Sequence, residues 1–244
     1  MRTGVGAALA LATLIGAAGA ARAQGGAQVG EIVVTAERRA NGMAIVTQPP
    51  PYAVVFRRAD NLVVEAQVDC DTRDQSDRLT EMKATLRNMI AAASASGEIE
   101  LGVESDNVIV PLKPEALDTI LSPGQREDTT TTTIVVKTHV AQADTFEAAS
   151  ARINGFILKT KVVGRTEVTR TGDWQLTLIT PRQYRPQIVA AIGQDANDTL
   201  KAFGPGYGVE VAGLEHAVEW SRSGPLDLAL YVPYTLKVVP LPAR

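Results

Sequence analysis

The sequence predicts an α+β fold in which an antiparallel sheet is covered by helices on one face. Short β-prone segments alternate with three helical patterns, and turn residues such as Gly, Pro and Asp separate them. The order β-α-β-β occurs twice, at residues 62–112 and 130–180. A third helix and C-terminal strands complete the predicted domain, and helices grouped on an antiparallel sheet define the α+β class.

Residues 1–23 match a secretory signal peptide. Arg2 supplies the positive charge, residues 3–21 are uncharged and rich in Ala, Leu and Gly, and an A-x-A cleavage site ends at Ala23. The many Gly and Ala residues make this segment weakly hydrophobic, which argues against a transmembrane anchor. We therefore expect an exported protein of a bacterial periplasm, with no transmembrane segment after cleavage.

Residues 24–57 are predicted to form an extended lead-in to a folded domain at residues 58–242. The lead-in begins with a flexible Gly-rich stretch at 24–26 and ends near the three consecutive prolines at 49–51. The 244 residues are 45% hydrophobic, which is enough apolar material for one sizeable core.

The first β-α-β-β unit begins with a strand at 62–70, where apolar residues alternate with polar ones. Apolar residues then recur at helical spacing over 76–95, and Gly97 is placed to end that helix. A strand at 99–104 alternates Ile, Leu and Val with Glu, and a second short strand is predicted at 108–112.

The second unit begins with a strand at 129–140, which is rich in β-branched residues. We predict that Asp144 caps the following helix, with Glu147 as the reciprocal capping partner and Gly164 as the C-terminal cap. Strands at 166–170 and 174–180 flank Thr-Gly-Asp, which suits a hairpin turn.

The third helix is predicted to follow Thr180, and Pro186 requires it either to kink or to start near Arg185. Gly204 is placed to end it. The remaining strands are predicted at 209–214, 218–220 and 226–239.

The charge balance argues against a nucleic-acid partner. The chain has 24 Lys and Arg residues against 27 Asp and Glu, so its net charge is −3 and it has no general attraction to phosphate backbones. Its one cysteine, Cys70, cannot form an internal disulfide. Cys70 ends an alternating strand, which favours burial in the sheet, and a reactive or intermolecular thiol is the alternative.

The sequence lacks the common catalytic motifs. It has no G-x-S-x-G, H-E-x-x-H or G-x-x-x-x-G-K-S/T pattern, and its two histidines, His139 and His216, lie far apart in the chain. Asp69–Asp74 partly match a calcium loop, but position six is Asp74 instead of Gly and position twelve is Thr80 instead of Glu. We therefore expect no enzymatic activity, no catalytic residues, no cofactor and no metal.

Two segments resemble the SIMPL-domain family of exported bacterial proteins, which includes periplasmic oxidative-stress proteins and immunogenic antigens. They are residues 59–66 followed by the helix at 76–95, and the helix-to-strand junction at 203–211. The family's usual Pro-Asp opening is Ala59-Asp60 here. The resemblance implies repeated β-α-β-β units and assembly into oligomers, and no catalytic residues come with it.

A shorter segment in the lead-in resembles the TonB box of TonB-dependent outer-membrane receptors. The resemblance implies that this segment could pair with the sheet edge of TonB by strand addition. Its residues are Glu31, Ile32, Val33, Val34, Thr35 and Ala36.

These observations leave three hypotheses for function. The first is a non-enzymatic, exported SIMPL-like protein that acts through binding and homo-oligomeric assembly and is linked to envelope stress. The second is an accessory protein of an outer-membrane uptake system that engages TonB through residues 31–39. The third is an unrecognised periplasmic enzyme.

Overall fold

A computed structural model describes residues 31–34, 52–105 and 108–242 of the chain. The predicted signal peptide and most of the predicted lead-in lie outside the described residues. Helices and antiparallel strands both make up a large part of the described chain, which confirms the α+β class.

The described residues form twelve strands and four α-helices. The strands are β1 (Glu31–Val34), β2 (Val55–Arg58), β3 (Asn61–Cys70), β4 (Ile99–Ser105), β5 (Val108–Pro111), β6 (Ser122–Pro123), β7 (Thr130–His139), β8 (Thr166–Ile179), β9 (Tyr207–Ala212), β10 (Glu219–Arg222), β11 (Asp227–Tyr231) and β12 (Thr235–Pro240). The helices are α1 (Gln75–Ser96), α2 (Leu117–Ile120), α3 (Phe146–Leu158) and α4 (Arg185–Phe203).

The largest sheet closes on itself. Its strand order is β3-β8-β1-β5-β4-β7-β6, and β3 also pairs with β7, so six antiparallel strands form a ring. Strand β1 completes the ring because it pairs with β8 on one side and with β5 on the other. Two smaller sheets, β10-β11-β2 and β12-β9, lie outside this ring.

The two faces of the ring bury apolar residues separately. Successive side chains of a strand point to opposite faces, and the face that includes Leu62 and Val64 packs against helices α1 and α3 in the main core. The opposite face contributes a small second cluster of Val63, Ile109 and Val135, which are 2%, 9% and 4% exposed. Burial of such side chains stabilises the fold by roughly 1.5–3 kcal/mol each.

Helix α1 forms as the sequence predicts. The Asp74 carboxylate accepts a hydrogen bond from the Asp77 N–H at 3.0 Å, and Gly97 ends the helix at φ 64°. Helix α4 begins at Arg185, after a 3₁₀ turn at Pro181–Tyr184, so the later of the two predicted starts is confirmed.

The predicted caps of α3 are wrong. The helix begins at Phe146, so Thr145 is the cap, and its hydroxyl accepts the hydrogen bond from the Ala148 N–H at 3.2 Å, while the Asp144 carboxylate binds Arg152 and the Ala141 N–H. The helix ends at Leu158, before it reaches Gly164.

The second unit also differs from the prediction, because its last two strands are one. Strand β8 runs continuously along β3, and the residues predicted to form a hairpin turn instead form a bulge that includes Gly172 at φ 67°. Pairing with β3 on both sides of the bulge keeps the two parts of β8 in line. The second unit is therefore β-α-β.

The predicted strand at 226–239 is divided into β11 and β12, which belong to different sheets. Pro233 lies in the break, where its missing N–H cannot contribute to a ladder. Within the described chain, no helix is long and apolar enough to span a membrane.

Candidate functional site

The TonB-box-like segment lies partly within the ring. All of β1 pairs with β8, in a register that places Ile32 opposite Leu178, and Ile32 also pairs with Val108 of β5. Thr35 and Ala36 lie outside the described residues. Since both edges of β1 are used within this chain, strand addition to another protein would require β1 to leave the ring.

A different part of the molecule contributes no buried residue to the main core, although its Val211 packs against that core. We call residues 193–212 and 235–242 the C-terminal arm, which contains the second half of α4, strand β9 and strand β12. None of these residues is buried, whereas α4 residues Ile188 and Ile192, just before the arm, are 0% and 1% exposed. The arm is thus a helix and a two-stranded ribbon without a closed core of its own.

The base of the arm is fixed to the rest of the fold by Tyr234. Its hydroxyl donates a hydrogen bond to the Asp195 carboxylate on α4 and accepts one from the Ala53 N–H at 3.3 Å. Burial raises the pKa of Tyr234 to about 12, and the hydrogen bond to Asp195 acts in the same direction. The ribbon and α4 are therefore held together at this end.

The ribbon has one face toward α4 and one face toward solvent. Val209 and Val211 of β9 lie opposite Val238 and Leu236 of β12, and all four side chains are half-buried. On the other face the Lys237 ammonium lies 3.5 Å from the Glu210 carboxylate, with both side chains mostly exposed. Such an exposed ion pair stabilises the ribbon only weakly.

Exposed apolar side chains collect at the far end of the arm. The rings of Phe203 and Tyr207 meet edge to face with 6.0 Å between their centroids, and they remain 54% and 42% exposed. Leu241, which is 52% exposed, lies beside Gly208 on the same ribbon. We call these three residues the aromatic end of the arm.

A cavity of about 780 Å³ lies elsewhere, where β2 approaches the end of β7. Its lining is mostly polar and includes Arg58, Asp60, His139 and Asp227. Two of these groups hold the backbone: Arg58 Nε donates to the Ala141 carbonyl at 3.1 Å, and Asp60 accepts from the Ile179 N–H at 2.6 Å. His139 lines this cavity and His216 does not, so the structure does not bring the two histidines together.

Beside this cavity an ion pair fixes the loop that leads into α3. Arg152 donates to both carboxylate oxygens of Asp144, at 3.0 and 2.6 Å, and also to the His139 carbonyl at 2.8 Å. The hydrogen bonds from Arg152 lower the pKa of Asp144 to about 2, against the opposing effect of burial. Sequence reasoning assigned Asp144 to a helix cap and missed this pair.

The residues that partly match a calcium loop have structural roles. Asp74 caps α1, and Asp71 accepts two hydrogen bonds from Arg165, at 2.6 and 2.7 Å, which lower the pKa of Asp71. Within the ranges that the structure describes, no group of His, Cys, Asp and Glu side chains is arranged to hold a metal ion.

Cys70 is 1% exposed, which confirms its predicted burial. Its thiol lies 3.4 Å from the Glu81 carboxylate, which also accepts hydrogen bonds from the Thr72 hydroxyl at 2.6 Å and the Arg165 N–H at 3.0 Å. Those contacts, led by the Thr72 hydroxyl, lower the pKa of Glu81. This cluster joins the end of β3, helix α1 and the loop before β8.

Comparison with known proteins identifies no family for this chain. No protein-family model matches the chain, and no curated protein matches it. Among solved structures, a crystal structure of a hydrolase from Listeria innocua is similar over 77% of this chain and 94% of its own, with 11% identity and a TM-score of 0.16. A likeness at that TM-score carries no argument about fold or function, and the SIMPL and TonB-box resemblances stay predictions.

Proposed function

We propose that this is an exported, non-enzymatic protein of the periplasm that acts through binding and self-assembly, as the SIMPL resemblance implies, in the response of the cell envelope to stress. The observation that supports the proposal is the C-terminal arm. Its apolar side chains are only half-buried by the chain itself, and its aromatic end is exposed.

The energetics of the arm favour a partner. An isolated two-stranded ribbon is at best marginally stable in water, and a single helix covers only one of its faces. Removing apolar surface from water is worth roughly 25 cal/mol per Å², so contact over the exposed side chains would stabilise both the arm and the complex. Aromatic residues are enriched in such interfaces because they combine a large apolar area with few rotatable bonds.

The experiment is to measure the mass of the mature protein, residues 24–244, by sedimentation over a wide range of concentrations. We expect mass to increase with concentration, and the double variant Phe203→Ser, Tyr207→Ser to shift assembly to at least tenfold higher concentration. Leu158→Ser is the matched control, because Leu158 is 85% exposed at the end of α3 and lies outside the arm. A wild-type protein that stays monomeric throughout would contradict the proposal.

A further inference from the structure

We propose that two copies of this protein join by antiparallel pairing of their β9 strands, so that two ribbons become one four-stranded sheet. This inference rests on the proposed function and specifies the surface through which assembly occurs.

The outer edge of β9 carries unpaired backbone groups. Among the described strands β9 pairs only with β12, so one of its edges is open. The Leu241 N–H donates to the Gly206 carbonyl at 2.9 Å, and antiparallel pairs alternate between bonded and non-bonded types along a ladder. Gly206 and Leu241 are therefore a bonded pair, and every second residue of β9 after Gly206 bonds to β12. These residues are Gly208 and Glu210, whereas Val209 and Val211 direct their N–H and C=O groups outward, away from β12.

In the two smaller sheets the other open edges are protected against pairing, and that of β9 is not. Edge strands are commonly protected by charged side chains and by proline. Strand β12 ends in Pro240, which lies at a position directed away from β9 and has no N–H to donate. The open edge strands of the three-stranded sheet, β2 and β10, each carry two charged residues. Strand β9 contains no proline, and its one charge, Glu210, is already paired with Lys237.

Symmetry and charge select a second copy as the occupant. If the twofold axis passes beside Val209, each Val209 pairs with its own counterpart, and Tyr207 lies opposite Val211 of the other copy. Glu210 then lies opposite Gly208, so the two carboxylates do not face each other. Aromatic and β-branched residues are a favourable cross-strand pair, and like charges directly opposite are unfavourable. A β9-to-β9 contact also closes after two copies, whereas head-to-tail β9-to-β12 pairing would produce a larger ring or an open filament.

The same geometry uses the aromatic end of the arm. Tyr207 begins β9, and Phe203 contacts its ring, so both lie at an end of the new interface. Each copy contributes one such pair of rings, one at each end of the four-stranded sheet. The exposed rings and the open backbone edge therefore belong to a single surface.

The test is a pair of proline variants in the full mature chain. Val209→Pro removes an outward N–H of β9 without removing a bond to β12, and Val238→Pro does the same on the opposite edge of the ribbon. We expect Val209→Pro to raise the dissociation constant at least tenfold and Val238→Pro to leave it unchanged. Thermal unfolding of both variants checks that the ribbon still forms.

A second measurement does not depend on proline. In a Cys70→Ser background, Val209→Cys should form a disulfide-linked dimer on mild oxidation, because paired strands place the two Cα atoms within bridging range. Lys237→Cys, on β12, should stay unlinked.

Two results would overturn the inference while leaving the proposed function standing. One is assembly of Val209→Pro at wild-type concentrations, and the other is equal loss of assembly in Val209→Pro and Val238→Pro. A monomeric wild-type protein would overturn both proposals.

Discussion

The ion pair between Asp144 and Arg152 offers a quantitative test of the fold. Asp144 precedes α3, and its side chain is 15% exposed, while that of Arg152 is 24% exposed. Asp144→Asn keeps the shape of the side chain but removes its charge, so Arg152 loses the carboxylate that accepts its two hydrogen bonds.

The size of the effect follows from the pKa. A carboxyl that has a pKa of 3.8 when unperturbed and about 2 in the folded protein favours the folded state whenever it is ionised. One pKa unit corresponds to about 1.4 kcal/mol, so the ionised Asp144 carboxylate and its partners, which are Arg152, the Ala141 N–H and Arg58, together contribute about 2 kcal/mol to the free energy of unfolding at neutral pH. Because the folded pKa is the lower one, this contribution is complete above the unfolded pKa and is lost as the pH falls toward 2.

The assay is chemical denaturation of the wild type and of Asp144→Asn at pH 7, 5, 3 and 2. We expect a difference of about 2 kcal/mol at pH 7 and pH 5, a smaller one at pH 3, and curves that converge near pH 2. Asp118→Asn is the control, because Asp118 is 74% exposed and its pair with Lys83 should contribute less than about 1 kcal/mol. A difference that stays constant from pH 7 to pH 2 would refute an ionic origin.

Three further predictions concern other parts of the fold. Gly164→Ala should lower the free energy of unfolding by about 1 kcal/mol or more, measured by denaturation, because Gly164 has φ 60° and a Cβ there would overlap the Glu81 carboxylate. Cys70 should react with a thiol reagent only as fast as the protein unfolds, and rapid labelling of the native state would contradict its burial. Deletion of residues 31–39 should lower the thermal unfolding midpoint, because β8 loses a paired strand. Crosslinking to TonB should be at background both with and without these residues. Crosslinking that depends on this segment would instead favour the TonB hypothesis.

The parts of the fold that were predictable are those with a strong local pattern. The alternation in β3 and the helical spacing in α1 identify both elements almost to the residue, because each pattern determines which side chains are buried. Pro186 likewise restricts where α4 can begin.

The parts that were not predictable depend on contacts between distant residues. Thr-Gly-Asp at 171–173 is compatible with a hairpin or a bulge, and pairing with β3, about a hundred residues earlier, selects the bulge. The predicted capping role of Asp144 fails for a similar reason, because its carboxylate binds Arg152 and the Ala141 N–H instead of the first N–H groups of α3.

The candidate site was the least predictable part. The sequence directs attention to residues 31–36, and it attributes Phe203 and Tyr207 to an ordinary helix-to-strand junction. Their partial exposure depends on how the arm packs against the rest of the fold, which no local pattern encodes. The one available signal was the pair of aromatic residues around a Gly-rich turn.

Differences between the strand edges explain why assembly is expected at the arm and not at the ring. In the ring, β1 pairs with β8 at residues 176–179 and with β5 at Val108, so each of the six strands has a neighbouring strand on both sides. Outside the ring, open edges exist, and the strands β2, β10 and β12 carry charges or proline that hinder further pairing. Strand β9 combines an open edge with apolar residues and a single charge, Glu210, which is paired with Lys237. An edge of this kind exposes a protein to uncontrolled aggregation unless something pairs with it, and a twofold contact with a second copy satisfies both copies at once.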